Sequence, residues 1–92
     1  MMKVFKCSIG VTDFQSVTLP KNAEILTVQV QFGKPCIWAL VNPENKPEER
    51  KLRLVGTGHD ISDDEARKLR YIGTFQMHDG LLVYHLFEVK EL

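Results

Sequence analysis

The sequence predicts an all-β domain, and three observations predict it. Apolar residues recur at every second position in most segments, turn-forming residues separate those segments at short intervals, and only one weak helical signal interrupts them. Six or seven short strands within 92 residues fit an antiparallel β-sandwich or a partly open barrel carrying one short helix. A chain of this length builds one core, so residues 1–92 are read as a single domain.

The first strand, Lys3 to Ile9, leads past Thr12 and Asp13 into a second around Gln15 to Leu19, which Pro20 ends because it brings no ladder donor. From Glu24 to Phe32 the alternation is clean. Leu26, Val28, Val30 and Phe32 are expected on the core face, with Thr27, Gln29 and Gln31 in water. Gly33, Lys34 and Pro35 then turn the chain into Cys36 to Val41, a strand apolar on both faces. Such a strand is central, or its second face meets a partner.

The stretch from Asn42 to Pro47 holds two prolines and two asparagines in six positions, which favours turns and opposes a ladder. Beyond this loop tip, Arg50 to Val55 alternates Leu52 and Leu54 with Lys51 and Arg53, as a half-buried strand does. Ser62-Asp63-Asp64-Glu65 fits a capping box, in which Ser62 accepts from the third helical amide and Glu65 reaches back. A short helix through Arg67 or Lys68 follows. Tyr71 to Met77 and Leu81 to Val89 close the domain as a hairpin around His78-Asp79-Gly80, where Asp-Gly suits positive φ. Leu81 to Tyr84 is again apolar on both faces, and Trp38, Tyr71, Phe75 and Tyr84 are expected mostly in the core.

Twelve basic residues balance twelve acidic ones, so no global field draws the chain to nucleic acid or to an anionic membrane. The local cations Lys46, Arg50, Lys51 and Arg53 are diluted by Glu48 and Glu49 and do not interleave with aromatics, which disfavours nucleic-acid binding. Nothing approaches the ~18 apolar residues of a membrane span, and the start does not read as a signal peptide, so a cytoplasmic setting is expected. Cys7 and Cys36 stand far apart without a Cys-x-x-Cys pair, and read as buried thiols.

Candidate chemistry concentrates at Gly56-Thr57-Gly58-His59-Asp60. Closely spaced glycines expose backbone amides that cradle an anion, and Thr57 and His59 add donors, so Gly56, Thr57, Gly58, His59 and Asp60 form a candidate ligand-binding loop. The stretch lacks the later Gly-Lys-Ser/Thr of a Walker loop and the third glycine of a dinucleotide fingerprint. A plain loop leaving a strand is the competing reading. His59, His78 and His85 have no metal-ligand spacing, so neither a metal nor another cofactor is expected. No catalytic set stands out either, since Thr57, His59 and Asp60 are too nearly adjacent to face one another.

The two doubly apolar strands carry more apolar surface than a two-layer domain of this size needs, which points to a homo-oligomer. Ile37, Ala39 and Val41 on one strand and Val83, His85 and Phe87 on the other are the candidate interface residues.

Several stretches carry a family resemblance: Leu19 to Lys21 through Ala23 to Leu26, Val28 to Gln31, Pro35 to Val41, Gly56 to His59, and Tyr71 to Gln76 with His78 and Gly80. Together they span most of the chain, which resembles a family of small uncharacterised phage and prophage proteins. The resemblance implies no catalytic residues. It implies a phage-encoded accessory protein in a bacterial cytoplasm, binding a host protein or defence component without being an enzyme. A sequestering protein for a small anionic ligand or nucleotide, built on the 56–60 loop, is the alternative, and a nucleic-acid-binding accessory protein using Arg50, Lys51 and Arg53 is a third.

Overall fold

Strand-forming side chains and tight turns alternate through the chain with little else between them, and the backbone follows that pattern closely. The computed structural model describes residues 1–90. In chain order the elements are β1 (Lys3–Ser8), β2 (Phe14–Pro20), β3 (Glu24–Gln31), β4 (Lys34–Val41), β5 (Pro47–Gly56), α1 (Asp63–Ala66), β6 (Leu69–Met77) and β7 (Leu82–Val89). They form two antiparallel sheets, one of order β1-β4-β3 and one of order β2-β5-β7-β6. The choice between sandwich and barrel falls to the sandwich.

Both doubly apolar strands are central, β4 between β1 and β3 and β7 between β5 and β6. The period of two then sorts their side chains. Ile37, Ala39 and Val41 face the other sheet and are buried, with Ile37 and Val41 at 0% exposure, beside Leu52, Leu54, Phe75 and Leu86. This corrects their reading as interface residues: they are the core, and Cys36, Trp38 and Leu40 take the opposite face of β4.

A second correction concerns β3. Its ladder with β4 shifts between Ile25 and Thr27, so Leu26 is bulged out and 44% exposed while Ile25 packs on the core. Val28 is buried, but Val30 is 38% exposed and Phe32 sits in the turn itself, 95% exposed. Tyr71, another expected core aromatic, is exposed as well, whereas Phe75 is buried and Tyr84 packs against the core.

A second bulge, between Tyr71 and Gly73, brings Gly73 opposite Leu86 on the inner face of β6. A Cβ at Gly73 would lie 2.8 Å from Val28 Cγ1. The glycine therefore lets β6 approach β3 and seal one long edge of the sandwich by packing, without a hydrogen-bonded ladder.

The helix forms where the capping residues place it. Ser62 accepts from the Glu65 amide at 3.1 Å, but the Glu65 carboxylate reaches Arg53 at 2.9 Å rather than back to Ser62. Only half of the expected capping box is made. The other half is exchanged for an ion pair that ties α1 across the β2–β5 part of the four-stranded sheet.

Strand registers place the 9–13, 32–33, 57–62 and 78–81 connections at one end of the sandwich. At the other end the inner face carries charge. Glu88, 6% exposed, receives hydrogen bonds from Arg50 Nε, from Arg50 Nη2 at 3.0 Å and from Arg70 Nη2 at 2.6 Å, and Arg50 Nη1 also donates to Ala23 O at 2.7 Å. Burial alone would push the Glu88 carboxyl up, but the two arginines outweigh it and hold the group below its usual range.

Candidate functional site

The outer face of the four-stranded sheet is divided in two. Over β2 and β5 lies α1, fastened by Arg53 to Glu65, with the Arg53 guanidinium 4.4 Å above the Phe14 ring. Among the described residues no helix lies over the β6–β7 half.

That open half is built by strand parity. Val83, His85 and Phe87 share the outer face of β7, and the β6–β7 register sets Gln76 beside Val83, Thr74 beside His85 and Tyr71 beside Phe87. On the other side β5 brings Val55 against His85 and Arg53 against Phe87, and the backbone continues to Thr57, whose amide donates to Val83 O at 3.2 Å. The three expected β7 residues are thus one surface row, each half-buried by its neighbours.

His85, on β7, is the centre of a polar chain that runs from the turn after β5 to β6. Its Nε2 lies 2.7 Å from Thr57 Oγ1 and its Nδ1 2.9 Å from Thr74 Oγ1, which in turn is 2.5 Å from the Tyr71 hydroxyl. A neutral imidazole donates from one nitrogen and accepts at the other, so one threonine donates to the ring and the other accepts from it. Tyr71 also meets Phe87 edge to face, with centroids 5.7 Å apart and planes at 62°. Hydroxyls, imidazole and aromatic edges are thereby held in fixed mutual positions on an exposed sheet.

The 56–60 loop has folding reasons for its glycines. His59 N donates to Gly56 O at 3.1 Å, closing a turn in which Gly58 takes φ +86, and the His59 ring lies so close over Gly56 that a Cβ there would be 2.9 Å from Cε1. The amides of Thr57 and His59 are occupied by backbone carbonyls. Gly58, His59 and Asp60 are exposed, and Thr57 is the member whose side chain reaches across to His85. Gly56, Thr57 and His59 line a shallow cleft of about 230 Å³ with Leu81, Leu82 and Val83.

The arrangement has the outline of a nucleophile beside a base, Thr57 on His85, but its third member is the neutral Thr74 hydroxyl. Among the described residues no carboxylate is hydrogen-bonded to the ring. What the face does offer is recognition: directional donors and acceptors set among aromatic edges. Although the 56–60 and 78–81 loops share one end, no group of three or more His, Cys, Asp and Glu side chains is placed to hold a metal among the described residues. The cations named for nucleic acid are dispersed, with Arg50 turned inward to Glu88 and Arg53 paired to Glu65.

Sequence reasoning nominated Thr57 and the Val83, His85, Phe87 row for separate reasons, and the fold brings them together. It missed Thr74 and Tyr71. Thr74 was legible, because counting back from the hairpin turn at residues 78–81 sets it opposite His85. Tyr71 was not, because its partner depends on the β6 bulge.

No helix among the described residues is long and apolar enough to cross a membrane. No curated protein and no solved structure matches this chain. The family DUF7352, described as a domain of unknown function, matches residues 1–92, and the chain belongs to that family.

Proposed function

We propose that this chain is a small non-enzymatic binding protein of phage or prophage origin, a homo-oligomer of the bacterial cytoplasm that engages a host protein or defence component through the outer face of β6 and β7. One observation carries the reading. Thr57, Tyr71, Thr74, Val83, His85 and Phe87 converge on the half of the sheet that α1 leaves open, and hydrogen bonds hold the polar members in place before any partner arrives. Pre-ordered side chains lose little freedom on binding, and aromatic residues ringed by hydrogen-bonding groups suit a protein partner.

The test is affinity capture from bacterial lysate with the tagged protein and with a Thr57→Val/His85→Ala variant. The wild type is expected to retain a discrete partner, and the variant, with thermal unfolding close to wild type, to retain at least about tenfold less. Equal capture by the two proteins would refute the reading.

A second reading, sequestration of a small anionic ligand or nucleotide, is favoured by the cleft that Thr57 and His59 share with Leu81 and Leu82. Against it stand the two loop amides already occupied. Calorimetry with a panel of linear and cyclic nucleotides separates the readings: heat that Thr57→Val abolishes supports the cleft, and no heat with any of them removes it.

A further inference from the structure

The hydroxyls and imidazole of the β6–β7 face hold a fixed number of protons, and counting them gives the face a direction. Tyr71, Thr74 and Thr57 each carry one hydroxyl proton, and a neutral His85 ring carries one. Three hydrogen bonds join them: Tyr71 with Thr74 at 2.5 Å, Thr74 with His85 Nδ1 at 2.9 Å, and His85 Nε2 with Thr57 at 2.7 Å. Four protons serve three bonds, so one proton is left over.

Thr74 decides where that proton stands, because its single hydrogen goes either to the ring or to the phenol. If Nε2 holds the ring proton, Nδ1 must accept, so Thr74 donates to it and Tyr71 donates to Thr74. The spare proton is then on the Thr57 hydroxyl, which is exposed. If Nδ1 holds the ring proton, every bond reverses and the spare proton is on Tyr71. Any mixture of the two directions forfeits a bond.

The chemistry of the two ends separates the directions. A phenol is more acidic than an aliphatic alcohol, so it is the stronger donor and the weaker acceptor. Tyr71 therefore suits the donating end. Its donation also polarises the Thr74 hydroxyl toward Nδ1, and bonds running in one direction strengthen one another. Among the described residues the two threonine hydroxyls are the hydrogen-bond partners of the ring, so no charged group fixes the tautomer against them.

We infer that the relay runs one way: Tyr71 donates to Thr74, Thr74 to His85 Nδ1, and His85 Nε2–H to Thr57. Thr57 is then the donor offered outward and the Tyr71 oxygen the acceptor, which makes these two the specificity-determining ends of the face. The inference rests on the reading of this face as a binding surface and states what its partner presents: an acceptor opposite Thr57 and a donor opposite Tyr71, as the C=O and N–H groups of a protein chain supply. It also gives the reason that the Thr57–His85 pair binds rather than reacts, since a ring nitrogen that already carries a proton takes none from Thr57.

Nitrogen-15 NMR of the full chain without partner, at a pH raised until the ring shifts report a neutral imidazole, reads which nitrogen of His85 bears the proton. The wild type is expected to hold Nε2–H as its major tautomer. Tyr71→Phe acts two hydrogen bonds from the ring, and by removing the stronger donor it should raise the ratio of Nδ1–H to Nε2–H at least about twofold. In a Thr74→Val background the relay is cut, and Tyr71→Phe should leave the ratio unchanged. Tyr71 and Thr74 are both exposed, so neither change disturbs the core. A major Nδ1–H tautomer in the wild type overturns the inference, as does a ratio that Tyr71→Phe leaves unmoved or moves equally when Thr74 is replaced. Equal capture by the Thr57→Val/His85→Ala variant would refute the proposed function without touching this tautomer, so the two failures are told apart.

Discussion

Glu88 shows how much one side chain decides. Its carboxylate is buried and answers two arginines, Arg50 and Arg70, so replacing it with Gln leaves the inward-facing Arg50 charge with only the more exposed Glu48 carboxylate at 3.6 Å. Breaking a buried pair from one side costs about 3–5 kcal/mol, and denaturant unfolding at neutral pH should show a loss of that order for Glu88→Gln. The pH dependence follows from the lowered carboxyl. A group depressed on folding stabilises the native state above its unfolded pKa, about 4.3, and that contribution is lost as pH falls through the folded value. Wild-type stability should therefore drop below about pH 4.3, and the gap to Glu88→Gln should narrow there. A constant gap down to pH 2–3 would mean that the arginines do not act through the charge of Glu88. Cys7 illustrates the quieter outcome of burial: desolvation, with Cys36 nearby, pushes its thiol up, which leaves it a poor nucleophile.

At the scale of elements, local periodicity placed nearly everything. Turn residues between alternating runs located seven strands and the hairpin at residues 78–81, where His78, Asp79 and Gly80 all adopt positive φ. What the pattern could not carry was a change of phase within a run. Leu26, Val28, Val30 and Phe32 share a parity, yet the bulge at Leu26 moves Ile25 inward, and Phe32 belongs to a turn whose type its own side chain disfavours. The bulge before Gly73 hid Tyr71 in the same way. Long-range pairing was equally illegible: Arg50 follows the parity of Leu52 into the core, a place its charge argues against until Glu88 is seen beside it. The β3–β6 seam supplies a prediction at this scale. Gly73→Ala drives a methyl into Val28 and should cost about 1–3 kcal/mol, and Val28→Ala should cost less in that background than in the wild type. Additive losses in chemical denaturation would show that the two strands do not meet at this pair.

Taken as a whole molecule, the sandwich has one outer sheet face split between a helix and an open array, and the split is what gives the protein a sided surface. The helix is held there because Glu65 answers Arg53, and the array exists because strand parity sets Thr74 beside His85, the β6 bulge brings Tyr71 to the same face, and the turn after β5 carries Thr57 to the ring. The candidate site was half legible from sequence. Thr57 and the β7 row were named, while their union required the ladder that joins residue 57 to residue 83. Site-specific photocrosslinking in bacterial cells tests the central claim most directly, with the photoreactive residue placed at Gln76 beside the array or at Gln29 on the outer face of the other sheet. The account predicts a discrete cross-linked partner from position 76, lost when His85→Ala is added, and none from position 29. Cross-links of equal yield from both positions, or from position 29 alone, would contradict it.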